Sequence, residues 1–254
     1  MARTKTKVSE TLDNFLFNKI ESDPDYQQWA KDYQIPDYIT DNLHPTKQLR
    51  EYQENALKHF IWLYDHDRAS AKHLLFNMAT GTGKTLIMAS VVLYLYEKGY
   101  RNFLFLVYRD NIIKQAVRNF TDYKFEKYLF NPKGIKINGQ NVDVRAVGSV
   151  ADSSRNAINF MFFSTQLLYN RLNEDKENGL TFDDFVENDV VILADEAHSL
   201  NVETRKKTKS EADEVKNWET AVLSAVKARE ENMLIEFTAT VAVANQAIHE
   251  KYED

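Results

Sequence analysis

Five short runs of nearly unbroken apolar residues restrict the folds open to this chain. They are "HLLF" (73–76), "NFLFLV" (102–107), "INFMFF" (158–163), "VVIL" (190–193) and "NMLIEF" (232–237). None alternates strictly with polar residues, so each reads as a strand buried on both faces. "VDVRAV" (142–147) reads as a further strand. Helical spacing fills the intervals: "GKTLIMASVVLYLYEKG" stopping at Gly99, "DNIIKQAVRNFTDY", "TQLLYNRL", and a long helix over "SEADEVKNWETAVLSAVKARE". Apolar strands separated by helices specify an α/β fold, a mostly parallel sheet with helices on both faces.

Ahead of the first strand, "REYQENALKHFIWLYDHD" places Tyr52, Ala56, Phe60 and Leu63 on one helical face. Residues 1–48 differ in character and hold three of the four prolines, Pro24, Pro36 and Pro45. "SETLDNFLFNKI" spaces Leu12, Phe15, Leu16 and Ile20 as a helix, with Ser9 as its cap. "DPDYQQWAKDY" predicts a second short helix starting at Pro24. The expected division is a helical N-terminal extension, 1–48, and an α/β domain, 49–254. The polar stretch 199–216 reads as a surface loop.

The 254 residues carry a net charge of −6, so a polyanion partner would need a local basic patch rather than a basic surface. There is no cysteine, which excludes disulfides and thiolate metal sites and suits a cytoplasmic protein. No apolar run reaches the roughly 18 residues of a membrane span, and "MARTKTKVSE" lacks the apolar block of a secretory signal. No membrane association is expected.

Chemistry concentrates after the first strand, in "NMATGTGKTLIMAS" (77–90). Two of the seven glycines, Gly81 and Gly83, fall within three residues of each other here. Glycine lets a backbone approach a polyanion closely and turn successive N–H groups into one concavity. Lys84 supplies a cation for the β- and γ-phosphates, Thr85 a hydroxyl for Mg2+, and the helix that follows a positive dipole end. The full phosphate-loop pattern asks for glycine at position 78, where this chain has Met78. The competing reading is a glycine turn with a solvent lysine.

A phosphate cradle hydrolyses nothing without carboxylates to hold magnesium and orient water. In open α/β sheets these sit at the carboxyl end of a neighbouring parallel strand. "VVILADEAHS" (190–199) fits, with Asp195 as magnesium partner, Glu196 as water-positioning base and His198 near the γ-phosphate. The alternative is a helix start with favourably placed acids.

"ATGTGKT" (79–85), "DEAH" (195–198) and "TAT" (238–240) resemble motifs I, II and III of superfamily-2 helicases and translocases. Their order resembles the first of that family's two RecA-like motor domains. "LREYQENAL" (49–57) resembles its adenine-reading segment, "LVYRDNIIKQ" (106–115) motif Ia, and "STQLL" (164–168) motif Ib. The "LR-x-Y-Q" opening and "MATGTGKT" are most similar to the motor subunits of type III and type I restriction enzymes. The resemblance spans about residues 45–245.

The resemblance implies a RecA-like P-loop NTPase using ATP and Mg2+. It implies that Gln53 reads adenine beside Arg50, and that Thr80, Gly81, Thr82, Gly83, Lys84 and Thr85 hold phosphates and metal. Thr238 and Thr240 would couple the ATP site to the nucleic-acid face. Arg109, Lys114, Ser164 and Thr165 would meet a nucleic-acid backbone, with duplex DNA ranked ahead of RNA. Residues 109–139 hold seven Lys/Arg against three acids, interleaved with aromatics, which suits backbone contact and equally a solvated helix face. The family's second motor domain supplies arginine fingers, and no second RecA-like unit or nuclease pattern follows in these 254 residues. The expectation is ATP binding with little turnover by this chain alone, as half of a restriction-system motor that docks a methylation and target-recognition subunit. Competing classes are an RNA helicase domain and a P-loop switch without motor activity.

Overall fold

The computed structural model describes residues 15–107, 110–173, 180–195 and 219–239. Seven strands form one sheet in the order β1-β7-β6-β2-β5-β4-β3. They are β1 (His73–Asn77), β2 (Asn102–Val107), β3 (Ile135–Ile137), β4 (Gln140–Ala146), β5 (Ala157–Ser164), β6 (Val190–Asp195) and β7 (Met233–Thr238). Every pairing is parallel except β3 with β4.

The apolar runs fill both faces because strand side chains alternate. From β2, Phe103, Phe105 and Val107 enter one core and Leu104 and Leu106 the other. From β6, Val191 and Leu193 enter the first, Val190, Ile192 and Ala194 the second. The first core is covered by α4 (Glu51–His66), α5 (Lys84–Glu97) and α6 (Asp110–Thr121). The second is covered by α7 (Thr165–Asn173), α8 (Phe182–Glu187) and a helix over 219–227. Buried Asn232 ties that second layer together. Its amide donates to Phe185 O at 2.8 Å and Ala225 O at 2.9 Å, and its oxygen accepts from Val190 N at 2.9 Å.

The N-terminal extension lies on the first layer. It contains α1 (Leu16–Ser22), α2 (Pro24–Asp32) and α3 (Asp37–Thr40). Pro24 opens α2 as expected, and the Asp23 carboxylate caps it by accepting from Asp25 N at 2.8 Å. Tyr26 and Trp29 pack on Trp62 of α4, with ring centroids 5.6 and 5.3 Å apart. Ile20, Tyr26, Ile39 and Leu43 thus join the core of the sheet's first face. Leu12 and Ser9 lie outside the described residues, and Leu16 is 39% exposed although its spacing put it on the apolar face.

Two further readings change. The buried face of α4 is Gln53, Leu57, Phe60, Ile61, Leu63 and Tyr64, while Tyr52 is 41% exposed. Phe60 and Leu63 are buried as expected, while at the start of the helix Gln53 and Leu57 take the buried places expected of Tyr52 and Ala56. Strand β3 was not predicted. It is three residues long and closes on β4 through Asn138–Gly139, both at positive φ, the two-residue turn that an Asn-Gly pair favours. The loop assigned to 199–216, and most of the long helix predicted there, lie outside the described residues. No described helix is long and apolar enough to cross a membrane.

Candidate functional site

The strand tips define the site. In a parallel sheet all the carboxyl ends share one edge, and the loops leaving that edge meet there. The segment after β1 climbs through Met78 to Gly83 and enters α5 at Lys84. Gly83 caps α5 in the left-handed region (φ 83°, ψ 36°), and Gly81 has φ 80°. Lys84 is the first helical residue and is buried, with Nζ 3.4 Å from Met78 O. Thr82 folds the loop on itself, its Oγ1 donating to Ala79 O at 2.6 Å. Thr80 and Gly81 are exposed, and Thr85 stands half-buried in the first turn of α5. The N–H groups at the start of a helix, together with its dipole, favour an anion.

Asp195 ends β6. The strands carrying Lys84 and Asp195 were expected to be neighbours, and they are not. β7 lies between them, because it pairs with both. The register still brings the two sites to one level: Asp195 is opposite Phe237, and Phe237 is opposite Phe76 of β1. At this level β1 and β6 are two strand spacings apart, about 10 Å. Alternation along β6 puts Asp195 on the side of Val191 and Leu193, the face that α5 covers. Thr238 of β7 has the opposite parity and is fully buried. Its carbonyl accepts the Met78 N–H at 2.8 Å, so the central strand is bonded to the start of the phosphate loop. Glu196, His198 and Thr240 lie outside the described residues.

Gln53, expected to read adenine, is buried and engaged with protein at both ends. Its Oε1 accepts from Arg50 N at 2.8 Å, and its Nε2 donates to Thr82 O at 2.8 Å. Tyr52, which the sequence reading left on an apolar face, donates its hydroxyl to the same Thr82 oxygen at 2.7 Å. The exposed Arg50 guanidinium reaches the Tyr52 oxygen at 3.4 Å. An aromatic hydroxyl beside a loop-reading glutamine was the signal available in "LREYQ".

The expected nucleic-acid residues divide. Arg109 lies outside the described residues, and Lys114 is exposed on α6. Ser164 and Thr165 stand at the tip of β5 but are 2% and 7% exposed. Ser164 caps α7 by accepting from Leu167 N at 3.3 Å, so these side chains start a helix rather than face solvent. The described part of the basic segment, 110–139, does not gather at the strand tips either. Helix α6 leaves the tip of β2 and returns along the sheet, which carries Lys124, Lys127, Lys133 and Lys136 toward the amino ends of the strands. Arg118 lies over the Phe125 ring at 3.8 Å. Among the described residues no group of three or more His, Asp and Glu is placed to hold a metal ion.

The chain is 34% identical over 285 residues to the probable type III restriction-modification enzyme HindVIP Res subunit of Haemophilus influenzae, with all of this chain and 54% of that protein covered. The chain thus spans about half the length of this relative. Among solved structures it is similar to the UvsW helicase from bacteriophage T4 (TM-score 0.48, 13% identity, 89% of this chain, 63% of that one). It is also similar to a nuclease-deletion mutant of the type ISP restriction-modification enzyme LlaGI, solved with a DNA substrate mimic (TM-score 0.35, 18% identity, 76% of this chain, 18% of that one). The profile of the family described as type III restriction enzyme, res subunit, matches residues 46–243, and the chain belongs to that family.

Proposed function

We propose that this chain is the ATP-binding part of a nucleic-acid-dependent ATPase, the motor of a type III-like restriction system. The observation that carries the reading is the shared edge. A glycine-turned loop leaves β1 and delivers buried Lys84 to the start of α5, and Asp195 ends β6 two strands from β1, level with Phe76 and on the face α5 covers. Lys84 and the first-turn amides of α5 bind the β- and γ-phosphates. Thr85 and Asp195 hold magnesium, Asp195 largely through water, and Glu196 positions the attacking water with His198 beside it. Bound magnesium offsets phosphate charge and polarises the reacting phosphoryl group. Thr238 and Thr240 link this edge to the strand-binding side.

The division at residue 48 belongs to the same proposal. Residues 49–254 are the motor unit, and the extension braces α4. Duplex DNA is the preferred partner, supported by membership of a restriction family, and a methylation and target-recognition subunit is the expected companion. The protein would act in the cytoplasm.

Calorimetry of the 254 residues with magnesium and ATP tests this. Binding heat is expected, and Lys84→Ala should abolish it. Asp195→Asn should weaken binding with magnesium and leave it nearly unchanged in EDTA. Turnover by the chain alone should stay near background with and without duplex DNA. Vigorous DNA-stimulated hydrolysis would refute the last point, and greater stimulation by duplex RNA would replace DNA as the partner.

A further inference from the structure

The Thr82 carbonyl is where two side chains from the start of α4 converge, Tyr52 Oη at 2.7 Å and Gln53 Nε2 at 2.8 Å. A carbonyl oxygen has two lone pairs, and both are used here. The two donors differ in setting. Gln53 is 3% exposed and is also anchored through Oε1 to Arg50 N. Tyr52 is 41% exposed, so its position is not explained by core packing. Its fixed contacts are polar, the Thr82 oxygen and Arg50 Nη1.

The planar peptide gives these contacts a consequence. In a trans peptide the C=O and the following N–H point in opposite directions. The Thr82 carbonyl is drawn toward α4, so the Gly83 N–H points away from α4. Gly83 at φ 83° lets the chain hold that plane and still enter α5 one residue later. Turning the plane over would break both hydrogen bonds and leave the buried Gln53 Nε2 only its longer contact with Gly83 O at 3.4 Å.

We propose that Tyr52 is a positioning residue for the phosphate loop. By completing the hydrogen bonding of Thr82 O, its hydroxyl fixes the 82–83 peptide with Gly83 N–H facing the phosphates of a bound nucleotide. The proposal rests on the reading of residues 79–85 as a phosphate cradle. It makes Tyr52 act on the triphosphate, not on the base.

The test is competition of Mg–ATP, Mg–GTP and Mg–tripolyphosphate against a fluorescent ATP analogue on the full chain. Tyr52→Phe removes only the oxygen. It should weaken all three competitors by a similar factor, about three- to tenfold for one neutral hydrogen bond, with the ATP-to-GTP ratio and the thermal midpoint unchanged. Tyr52→Leu, which also removes the ring, should do no more than Tyr52→Phe. Unaltered tripolyphosphate binding by Tyr52→Phe overturns the proposal. So does a loss confined to ATP and GTP in Tyr52→Leu, which would make the ring a platform for the base. If wild type binds none of the three, or Lys84→Ala binds as wild type does, the phosphate-cradle reading has failed and this proposal falls with it.

Discussion

Gly83 meets two constraints at once. Its φ of 83° is a conformation side chains rarely adopt, and a Cβ placed on it would lie 2.5 Å from Gln53 Nε2. Gly81 shares the first constraint without the second, since nothing lies within 4 Å of its Cβ position. The two alanine variants should therefore differ. Gly81→Ala should lose about 1–2 kcal/mol in denaturant unfolding from the left-handed backbone alone. Gly83→Ala should lose more, because Gln53 must leave its contacts with Arg50 N and Thr82 O. It should also lose nucleotide heat, whereas Gly81→Ala retains some. Equal losses in the two variants would show that the Gln53 contact contributes nothing.

At the scale of elements, the exposed edge of the sheet is managed by the extension. Strand β3 is an edge strand, and Asn42 closes it with a pair of hydrogen bonds. The side-chain amide donates to Lys136 O at 2.8 Å, and its oxygen accepts from Lys136 N at 2.8 Å. The side chain imitates a paired strand residue and blunts an edge that would otherwise template aggregation. Neighbouring bonds extend the seam, from His44 N to Leu129 O at 2.8 Å and from Asn131 N to Asn42 O at 2.8 Å. Asn42→Ala leaves both Lys136 backbone groups short of a partner and should cost about 1–3 kcal/mol in unfolding free energy. Asn42→Asp keeps the acceptor and loses the donor, and should fall between. Deleting residues 1–48 uncovers Trp62 and removes the Asn42 clasp from Lys136 of β3. The shortened chain should aggregate or lose cooperative unfolding in calorimetry, and a truncated chain that melts like the full one would contradict the brace.

Across the whole molecule, the first face of the sheet is rich in buried tyrosine. Desolvation pushes the phenols of Tyr26, Tyr33 and Tyr128 up from 10.0 to about 12, with Glu21 adding to the rise at Tyr26 and Asp65 and Glu97 at Tyr33. Tyr94 is raised further by burial and by its 2.8 Å hydrogen bond to Asp65. A raised folded-state value means the unfolded chain ionises first. The stabilisation is fully present below pH 10, declines as pH rises past it, and is lost by about 12 for these three residues. The thermal midpoint should therefore fall steeply above pH 10. The phenolate absorbance contributed by these desolvated tyrosines should rise with unfolding rather than before it.

Much of this protein is legible in one dimension. Apolar strands of five to eight residues, a helix start at Lys84 and acids following "VVIL" are local patterns, and local physics is enough to read them. Backbone burial dictates the parallel sheet, and a parallel sheet dictates that loops leaving its strands share an edge. Other features depend on pairings between distant residues, which local sequence does not encode. These include the insertion of β7 between β1 and β6, the turn of α4 that gives Gln53 and Tyr52 to Thr82, and the Asn42 clasp on β3. The same holds for the basic segment. Its charge was visible in the sequence, but the return path of α6 decided which end of the sheet received it.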